Sequence, residues 1–304
     1  MPHPSMLARI QQSIVLTIAF AGLAAAIVGA QSGRAWFGAA VVAIAITGYL
    51  SAIAFEFWLL HRSYAADDPE RPSVRELARA WATEVLVAPR VFLWNQPFRS
   101  ARHPDHLPAQ ARGRLGVVLV HGFFCNRGLW NPWLHRFRAA DIPFVAVNLE
   151  PVLGSIDDYG ETIAAAVAAI ESATGRPPLI VSHSMGGLAV RAWLAAHPDG
   201  RVQRLVTIAT PHAGTRIARH ARGANAAQMR QGSDWLAALA KSHDTAAPAP
   251  LLCFWSRCDN IVFPTRNATL PGADNREVAG APHVAMVFHP DVIEEVLRLA
   301  AAPA

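Results

Sequence analysis

Cysteine and charged residues are both scarce in this sequence of 304 residues. There are only three cysteines, Cys125, Cys253 and Cys258, an odd and sparse set that argues against a secreted domain held by disulfides. We therefore expect free thiols. Charged residues make up 16% of the chain and hydrophobic residues 52%, and both values are displaced in the direction that a membrane segment would produce.

Several functional signatures are also missing. The formal net charge is +5, but the arginines are scattered and no basic cluster with interleaved aromatic residues occurs, so we expect no nucleic-acid partner and at most a mild attraction to anionic lipid. His and Cys residues show no paired metal-ligand spacing, and Cys253 and Cys258 lack a second pair. No glycine-rich phosphate loop or dinucleotide fingerprint is present. We therefore expect neither a metal nor a cofactor.

Long apolar runs, in contrast, dominate the N-terminal segment 1–62. Residues 14–30 carry no charge, and after a turn at 31–34 a second run covers 35–60 with Glu56 as its only interruption. Each run is long enough for a bilayer core of about 20 apolar residues per helix, so we predict a transmembrane hairpin. Two alternatives stay open: a secretory signal cleaved after Val28-Gly29-Ala30, or two buried helices of a soluble protein.

The segment 63–115 is predicted to be a connector with one amphipathic helix. Ser73 and Glu76 have the spacing of a capping box that opens a helix, and Pro89 is expected to end it. Apolar residues recur on one face of this helix, namely Val74, Leu77, Trp81 and Val85. We interpret this face as a packing surface, with a membrane-lying helix as the alternative.

From residue 116 to 304, short apolar runs alternate with helical patterns, which is typical of a parallel sheet covered on both sides. The predicted strands are 117–120, 144–147, 179–181, 205–208 and 251–254, and the predicted helices are 159–172, 185–196 and 292–300. The stretch 216–250 is longer than an ordinary crossover and is a candidate lid. Its apolar residues Trp235, Leu236 and Leu239 fit equally well a plain amphipathic helix on the sheet.

The most informative segment is 179–187, where a predicted strand runs into a helix through a turn with Ser184 at its apex. Such a turn exposes a serine hydroxyl at the edge of the sheet and points a helix N-terminus at developing negative charge, as nucleophilic catalysis requires. Gly186 provides the small residue after the serine. Ser182 stands where the pattern G-x-S-x-G has its first glycine, and it is the one irregularity.

These features resemble the bacterial lipase/esterase branch of the α/β hydrolases, over roughly residues 94 to 300. The blocks that carry the resemblance are His121 to Arg127, Asn148 to Pro151, Ser182 to Gly187 and Thr210 to Thr215. The resemblance implies an α/β-hydrolase fold with a mainly parallel sheet, preceded here by the two predicted transmembrane helices. It also implies that the backbone N–H groups of Phe123 and Met185 bind the oxyanion.

The chain order nucleophile, acid, histidine then indicates where the partners lie. Asp259 is the only carboxylate in the loop 255–264, which is similar to the acid-bearing loop of the family, and Asp274 is the alternative. His283 is the predicted base because it precedes the closing helix. His289 is interpreted as a helix-entry residue, and His121 and His183 as scaffold residues. Candidates to line the substrate site are His121, Phe124, His212 and Trp235.

The expected activity is that of a serine ester hydrolase, similar to carboxylesterases and triacylglycerol lipases, acting on a lipid or other hydrophobic acyl ester through an acyl-serine intermediate. Thioester or amide cleavage on the same triad is one alternative, and an inactive membrane-tethered scaffold is another. The excess of arginine at Arg9, Arg62, Arg71 and Arg75 over Arg34 in the turn predicts a catalytic domain on the cytoplasmic side, at the inner membrane of a bacterium.

Overall fold

Short apolar runs form most of a single parallel sheet. A computed structural model describes residues 5–34, 36–245 and 250–301. The strands are β1 (Val117–Val120), β2 (Phe144–Ala146), β3 (Leu179–His183), β4 (Arg204–Ile208), β5 (Leu251–Trp255) and β6 (Asp274–Glu277). They pair in the order β2-β1-β3-β4-β5-β6, with every neighbouring pair parallel. The five predicted strands are confirmed: the ends of β1 are as predicted, and each of the other four differs at one end by one or two residues.

Within the described ranges the α-helices are α1 (Met6–Gln31), α2 (Trp36–Ser63), α3 (Val74–Pro89), α4 (Gln96–Arg99), α5 (Asn131–Ala139), α6 (Gly160–Thr174), α7 (Met185–Ala196), α8 (Ala224–Gln228), α9 (Asp234–Thr245) and α10 (Pro290–Ala301). Of these, α5 and α10 cover one face of the sheet, and α6, α7 and α9 cover the other. A π-helical turn, Arg90–Asn95, joins α3 to α4. The chain thus stays helical beyond Pro89, although the regular α-helix ends there as predicted.

Two apolar clusters form the core, one on each face of the sheet. The first contains Trp133 and Phe137 of α5 and Val292 and Val296 of α10, all buried against inward-facing strand residues. The second is formed by α6, α7 and α9. Because strands covered on both faces bury nearly every side chain, β1 reads as an uninterrupted apolar run.

Within the stretch 216–250, the described residues 216–245 place several apolar side chains on the second face of the sheet. Leu236 and Leu239 of α9 are buried in the second cluster, and Trp235 is partly buried against it. The helix α9 therefore follows the plain amphipathic alternative. A lid role for the segment as a whole stays a prediction.

The two N-terminal helices form an antiparallel pair that is largely exposed. Gly38 lies so close to α1 that a Cβ there would stand 2.7 Å from the Cα of Ala26. Both helices are long and apolar enough to cross a membrane. In the most apolar 18 residues of α1 and α2, only 6% and 11% of the residues are buried. Such exposure argues against the alternative that the two runs are buried helices of a soluble protein. It does not distinguish a transmembrane hairpin from a secretory signal.

The base of this hairpin, in contrast, packs against the rest of the chain. Ile53, Phe57 and Leu60 of α2 are buried in a cluster to which α3 contributes Leu77 and Ala80, and in which Cys258 and Phe263 also take part. Helix α3 begins with the predicted Ser73–Glu76 capping box. Three of the four residues predicted to form its packing face do pack in this cluster, since Trp81 and Val85 join Leu77 there. The prediction is wrong for Val74, whose side chain is 72% exposed.

The three cysteines are buried and free, as predicted. Among the residues that the structure describes, no group of three or more His, Cys, Asp or Glu side chains has an arrangement that could hold a metal ion.

Candidate active site

Ser184 lies at the sharp turn between β3 and α7. Its backbone is held at φ 54° and ψ −129°, a conformation that non-glycine residues rarely adopt, and its N–H donates to the Ile208 carbonyl oxygen at 2.9 Å. Strain of this kind persists where the surrounding structure enforces it, and it concentrates at functional sites. The turn presents the Ser184 side chain just beyond the carboxyl end of a central strand.

The residues that flank this turn differ in how much room they have. A Cβ at Gly186 would lie 2.5 Å from the His121 carbonyl oxygen and 2.6 Å from that of Val120, so only glycine fits. Ser182, in contrast, sits in β3 with its side chain buried, and its hydroxyl donates to the Val206 carbonyl oxygen at 3.1 Å. The added hydroxyl is therefore accommodated, and the irregularity in the pattern has a structural explanation.

Two backbone donors flank Ser184. Gly122 lies against it, because a Cβ there would stand 2.7 Å from the Ser184 Cβ. The next residue, Phe123, and the first residue of α7, Met185, both have N–H groups without a hydrogen-bond acceptor in the described part of the chain. Unpaired N–H groups at this place are available to a developing oxyanion.

Asp259 and His283 form a buried pair. The His283 Nδ1 lies 2.9 Å from Asp259 Oδ1 and 3.1 Å from Oδ2. Oδ1 also accepts the N–H groups of Ile261 and Val262 at 2.9 and 2.8 Å, which fixes the carboxylate. A carboxylate acceptor at Nδ1 requires the proton there, so Nε2 remains as the basic nitrogen.

The pKa of His283 is raised above its usual 6.5. Burial acts first and would lower this pKa, but the Asp259 carboxylate, through its charge and its hydrogen bond, outweighs burial. The imidazole is thus prepared to accept a proton during a reaction.

A network behind His283 positions its loop. The His283 N–H donates to Asn260 Oδ1 at 3.1 Å, and Asn260 Nδ2 donates to Glu56 Oε2 of α2 at 2.6 Å. Glu84 of α3 accepts the N–H groups of Val284 and Ala285 at 2.9 and 3.0 Å. Glu84 is 3% exposed, and burial raises its pKa to about 7.

His183, next to Ser184 in the chain, connects the turn to the base. Its Nε2 donates to the His283 carbonyl oxygen at 3.3 Å, and the two rings stand 4.8 Å apart between centroids. Burial holds the pKa of His183 well below its usual value. A neutral, buried ring in this place fits a scaffold role, and it brings His283 beside the Ser184 turn.

The candidate substrate residues separate in the structure. Both ring nitrogens of His121 bond to backbone, one donating to Gly122 and one accepting from Leu149, each at 3.0 Å. Its burial lowers its pKa to about 4. This arrangement suits a scaffold rather than a substrate ligand, and only Phe124, 40% exposed beside Phe123, presents a free apolar surface next to the turn.

His212 and Trp235 make their contacts elsewhere. His212 is buried, with Nδ1 3.3 Å from an Arg191 nitrogen and Nε2 3.1 Å from Thr207 Oγ1. The Trp235 indole N–H donates to Asp157 at about 3.0 Å. Their assignment to the substrate site therefore gains no support from these contacts.

Asp274, the alternative acid, and His289, interpreted as a helix-entry residue, are placed differently from Asp259 and His283. Asp274 is exposed on the edge strand β6 and pairs with Arg276 at 2.6 Å. His289 is partly exposed, 3.6 Å from Asp291, at the start of α10. Neither has the buried partner that a catalytic pair needs.

A family model described as "alpha/beta hydrolase fold" matches residues 117–281. The search of curated protein sequences gives no match. Among solved structures, the lipase BlEst2 of Bacillus licheniformis in mature form superposes with a TM-score of 0.57 at 18% identity, covering 65% of this chain and 97% of that chain. Lipase B of Aspergillus fumigatus gives a TM-score of 0.54 at 18% identity, covering 68% of this chain and 58% of that chain. At such identities these structures report on the fold.

Proposed function

The chain belongs to the α/β-hydrolase fold family, and on that premise we propose that it is a membrane-anchored serine hydrolase of carboxylic esters. The observation that supports this most is the buried Asp259–His283 pair beside the strained Ser184, with two unpaired backbone N–H groups close by. A nucleophile, an oriented base and oxyanion donors are the parts that acyl transfer requires.

In the proposed reaction, Ser184 Oγ attacks the ester carbonyl carbon while His283 Nε2 takes the hydroxyl proton. The oxyanion of the tetrahedral intermediate accepts hydrogen bonds from the Phe123 and Met185 N–H groups. His283 then gives its proton to the leaving alcohol, which produces the acyl-Ser184 intermediate. Water then attacks the acyl carbon while His283 Nε2 takes a proton from it. His283 gives this proton to Ser184 Oγ as the bond between the acyl group and Ser184 breaks, which releases the carboxylic acid and restores the free serine.

We propose a lipid or other hydrophobic acyl ester as the substrate class. The exposed Phe124 beside the nucleophile offers an apolar contact for an acyl chain, and the exposed hairpin would place the site next to a bilayer. The inactive-scaffold alternative depended on Ser182 as an irregularity in the nucleophile turn. The Ser182 hydroxyl donates to the Val206 carbonyl oxygen within the sheet, so this residue gives no support to an inactive protein. No specific contact favours thioester or amide cleavage over ester cleavage.

Labelling with a fluorophosphonate probe tests the nucleophile. We expect the wild-type protein in membranes to be labelled, and the Ser184→Ala variant to remain unlabelled, because only an activated serine displaces the leaving group of the probe. Ser182→Ala, two residues earlier in β3, is the matched control and is expected to be labelled. A labelled Ser184→Ala protein would refute the assignment, and an unlabelled wild type would favour the scaffold.

Carbonate extraction tests the membrane anchor. A transmembrane hairpin should keep the full-length chain in the membrane pellet at high pH, since about 20 apolar residues per helix make insertion strongly favourable. The N-terminus is read from the same sample by Edman sequencing. Release into the supernatant contradicts integration, and a chain that begins at Gln31 identifies a cleaved signal instead.

A further inference from the structure

A basic cavity of about 220 Å³ lies where the C-terminal end of α2 meets the segment that follows β4. Its lining is formed by Trp58, Leu59, Arg62, Ser63, Arg216, Ile217, Arg219, His220 and Phe263. Three arginines and a histidine thus surround one space, and none of the described residues that line it is an Asp or a Glu. A cavity with charge of one sign and apolar walls attracts an anion.

The arginines of this cavity are not neutralised by the protein. Arg62, Arg216 and Arg219 form no ion pair with a carboxylate among the residues that the structure describes. Arg257 and Arg266, on the neighbouring 255–266 loop, are paired with Glu277 and Glu70. The Arg219 Nε donates to the Arg216 carbonyl oxygen at 3.1 Å, so the two terminal nitrogens of Arg219 remain available.

The cavity stands at the level where the exposed part of the hairpin ends. Residues 36–52 of α2 are mostly exposed and, at 1.5 Å per residue, span about 25 Å, close to the thickness of a bilayer hydrocarbon core. α2 packs against α3 from Tyr49 onward, where the Tyr49 hydroxyl donates to the Val85 carbonyl oxygen at 2.9 Å. The cavity follows immediately, so in a bilayer it would lie at the depth of the lipid headgroups.

Aromatic residues on the same face of α2 support this depth. Phe55 and Trp58 are 54% and 50% exposed and stack with their ring centroids 5.5 Å apart. The Arg62 guanidinium lies over the Trp58 ring, 5.3 Å from its centroid. Exposed aromatic residues with a flanking arginine are typical of the boundary between hydrocarbon and headgroups.

We propose that this cavity binds the headgroup phosphate of an anionic phospholipid, with the acyl chains of that lipid lying along α2 beside Phe55. Guanidinium groups donate paired hydrogen bonds to phosphate oxygens, and three of them converge here. Ile217 and Phe263 form the apolar side of the same space. The proposal rests on the membrane anchoring in the proposed function, and it is independent of the chemistry at Ser184.

Native mass spectrometry of the full-length protein in detergent tests the site. The probes are phosphatidylglycerol and phosphatidylcholine with identical acyl chains. We expect one phosphatidylglycerol to bind in preference to phosphatidylcholine. The variant Arg62→Gln/Arg216→Gln/Arg219→Gln should lower the affinity for phosphatidylglycerol about tenfold or more, while phosphatidylcholine binding stays unchanged.

A second triple variant, Arg112→Gln/Arg136→Gln/Arg201→Gln, is the matched control, because it removes the same charge from exposed positions elsewhere on the surface. It should change phosphatidylglycerol affinity by less than about twofold. Equal binding of the two lipids to the wild type, or equal losses in the two triple variants, would overturn the proposal. Displacement of phosphatidylglycerol by millimolar inorganic phosphate, with phosphate retained on the protein, would overturn the lipid assignment in favour of a free-phosphate site.

The same preparations separate this proposal from the proposed function. A protein that is labelled at Ser184 and resists carbonate but shows no lipid preference refutes the headgroup site alone. A protein released by carbonate refutes the membrane anchor, and the headgroup site with it, whatever its labelling at Ser184.

Discussion

The Asp259→Asn variant is expected to hydrolyse p-nitrophenyl esters with a kcat about 10⁴-fold below that of the wild type. The Asp259 carboxylate accepts the proton of His283 Nδ1 and also accepts the Ile261 and Val262 N–H groups through Oδ1. An asparagine can keep its oxygen on these two N–H groups and turn its NH₂ towards His283. The imidazole would then carry its proton on Nε2, where it no longer accepts the Ser184 proton.

Asp274→Asn is the matched control, since Asp274 is the alternative acid from the sequence and is exposed on the edge strand. Its kcat should stay within about twofold of the wild type, as for most surface substitutions. The measurement is steady-state kinetics on proteins whose folding is verified by circular dichroism. Comparable losses in the two variants, or a nearly unchanged rate in Asp259→Asn, would assign the acid to another group.

The Glu84→Gln variant is expected to lose up to about 100-fold in kcat with KM little changed, because small displacements of a catalytic group have effects of this size. Glu84 accepts the two N–H groups that follow His283, and a glutamine oxygen can satisfy only one of them. The loop that bears His283 should therefore shift. Glu84 does not touch the reacting atoms, so it is a positioning residue.

The pH profile distinguishes this role from a loss of stability. In the wild type, kcat/KM should fall as the pH drops through a pKa above 6.5, because protonated His283 cannot act as the base. The charge of Glu84 contributes to the raised pKa of His283, so Glu84→Gln should move this acid limb to lower pH. Glu161→Gln, on the exposed side of α6, is the control. An unmoved limb, or a rate per folded molecule equal to that of the wild type, would contradict the role.

Most of the sheet could be predicted because its strands are covered on both faces and appear as continuous apolar runs. Strand β6 could not be predicted from the same signal. Its residues, Asp274 to Glu277, are polar and largely exposed at the edge of the sheet, so only backbone pairing with β5 makes them a strand. The turn at Ser184 could be recognised in the sequence because the space around it allows only small flanking residues. At Gly186, for example, a Cβ would collide with backbone oxygens.

The contact of Asp259 with His283 agrees with the predicted order of the triad, whose roles stay predictions. The supporting carboxylates were not foreseen. Glu84 accepts hydrogen bonds from backbone N–H groups about 200 positions away in the chain. Because every residue except proline has a backbone N–H, the residue types at those positions give no sign of this contact. Glu56 did give a signal, as the one charge within an apolar run, but its partner Asn260 could be identified only once the chain was folded.

Because Glu56 bonds to the loop that bears Asp259, the N-terminal hairpin cannot be removed or replaced as a whole without consequences for the active site. Deleting residues 1–63 to obtain a water-soluble enzyme would remove the carboxylate that holds Asn260, and it would uncover Leu77 and Phe263. Exchanging the hairpin for an unrelated anchor would have the same effect. Protein engineers who wish to keep the turnover rate should therefore retain the base of α2, which begins at Tyr49, and shorten only the exposed part, from about residue 13 to residue 48.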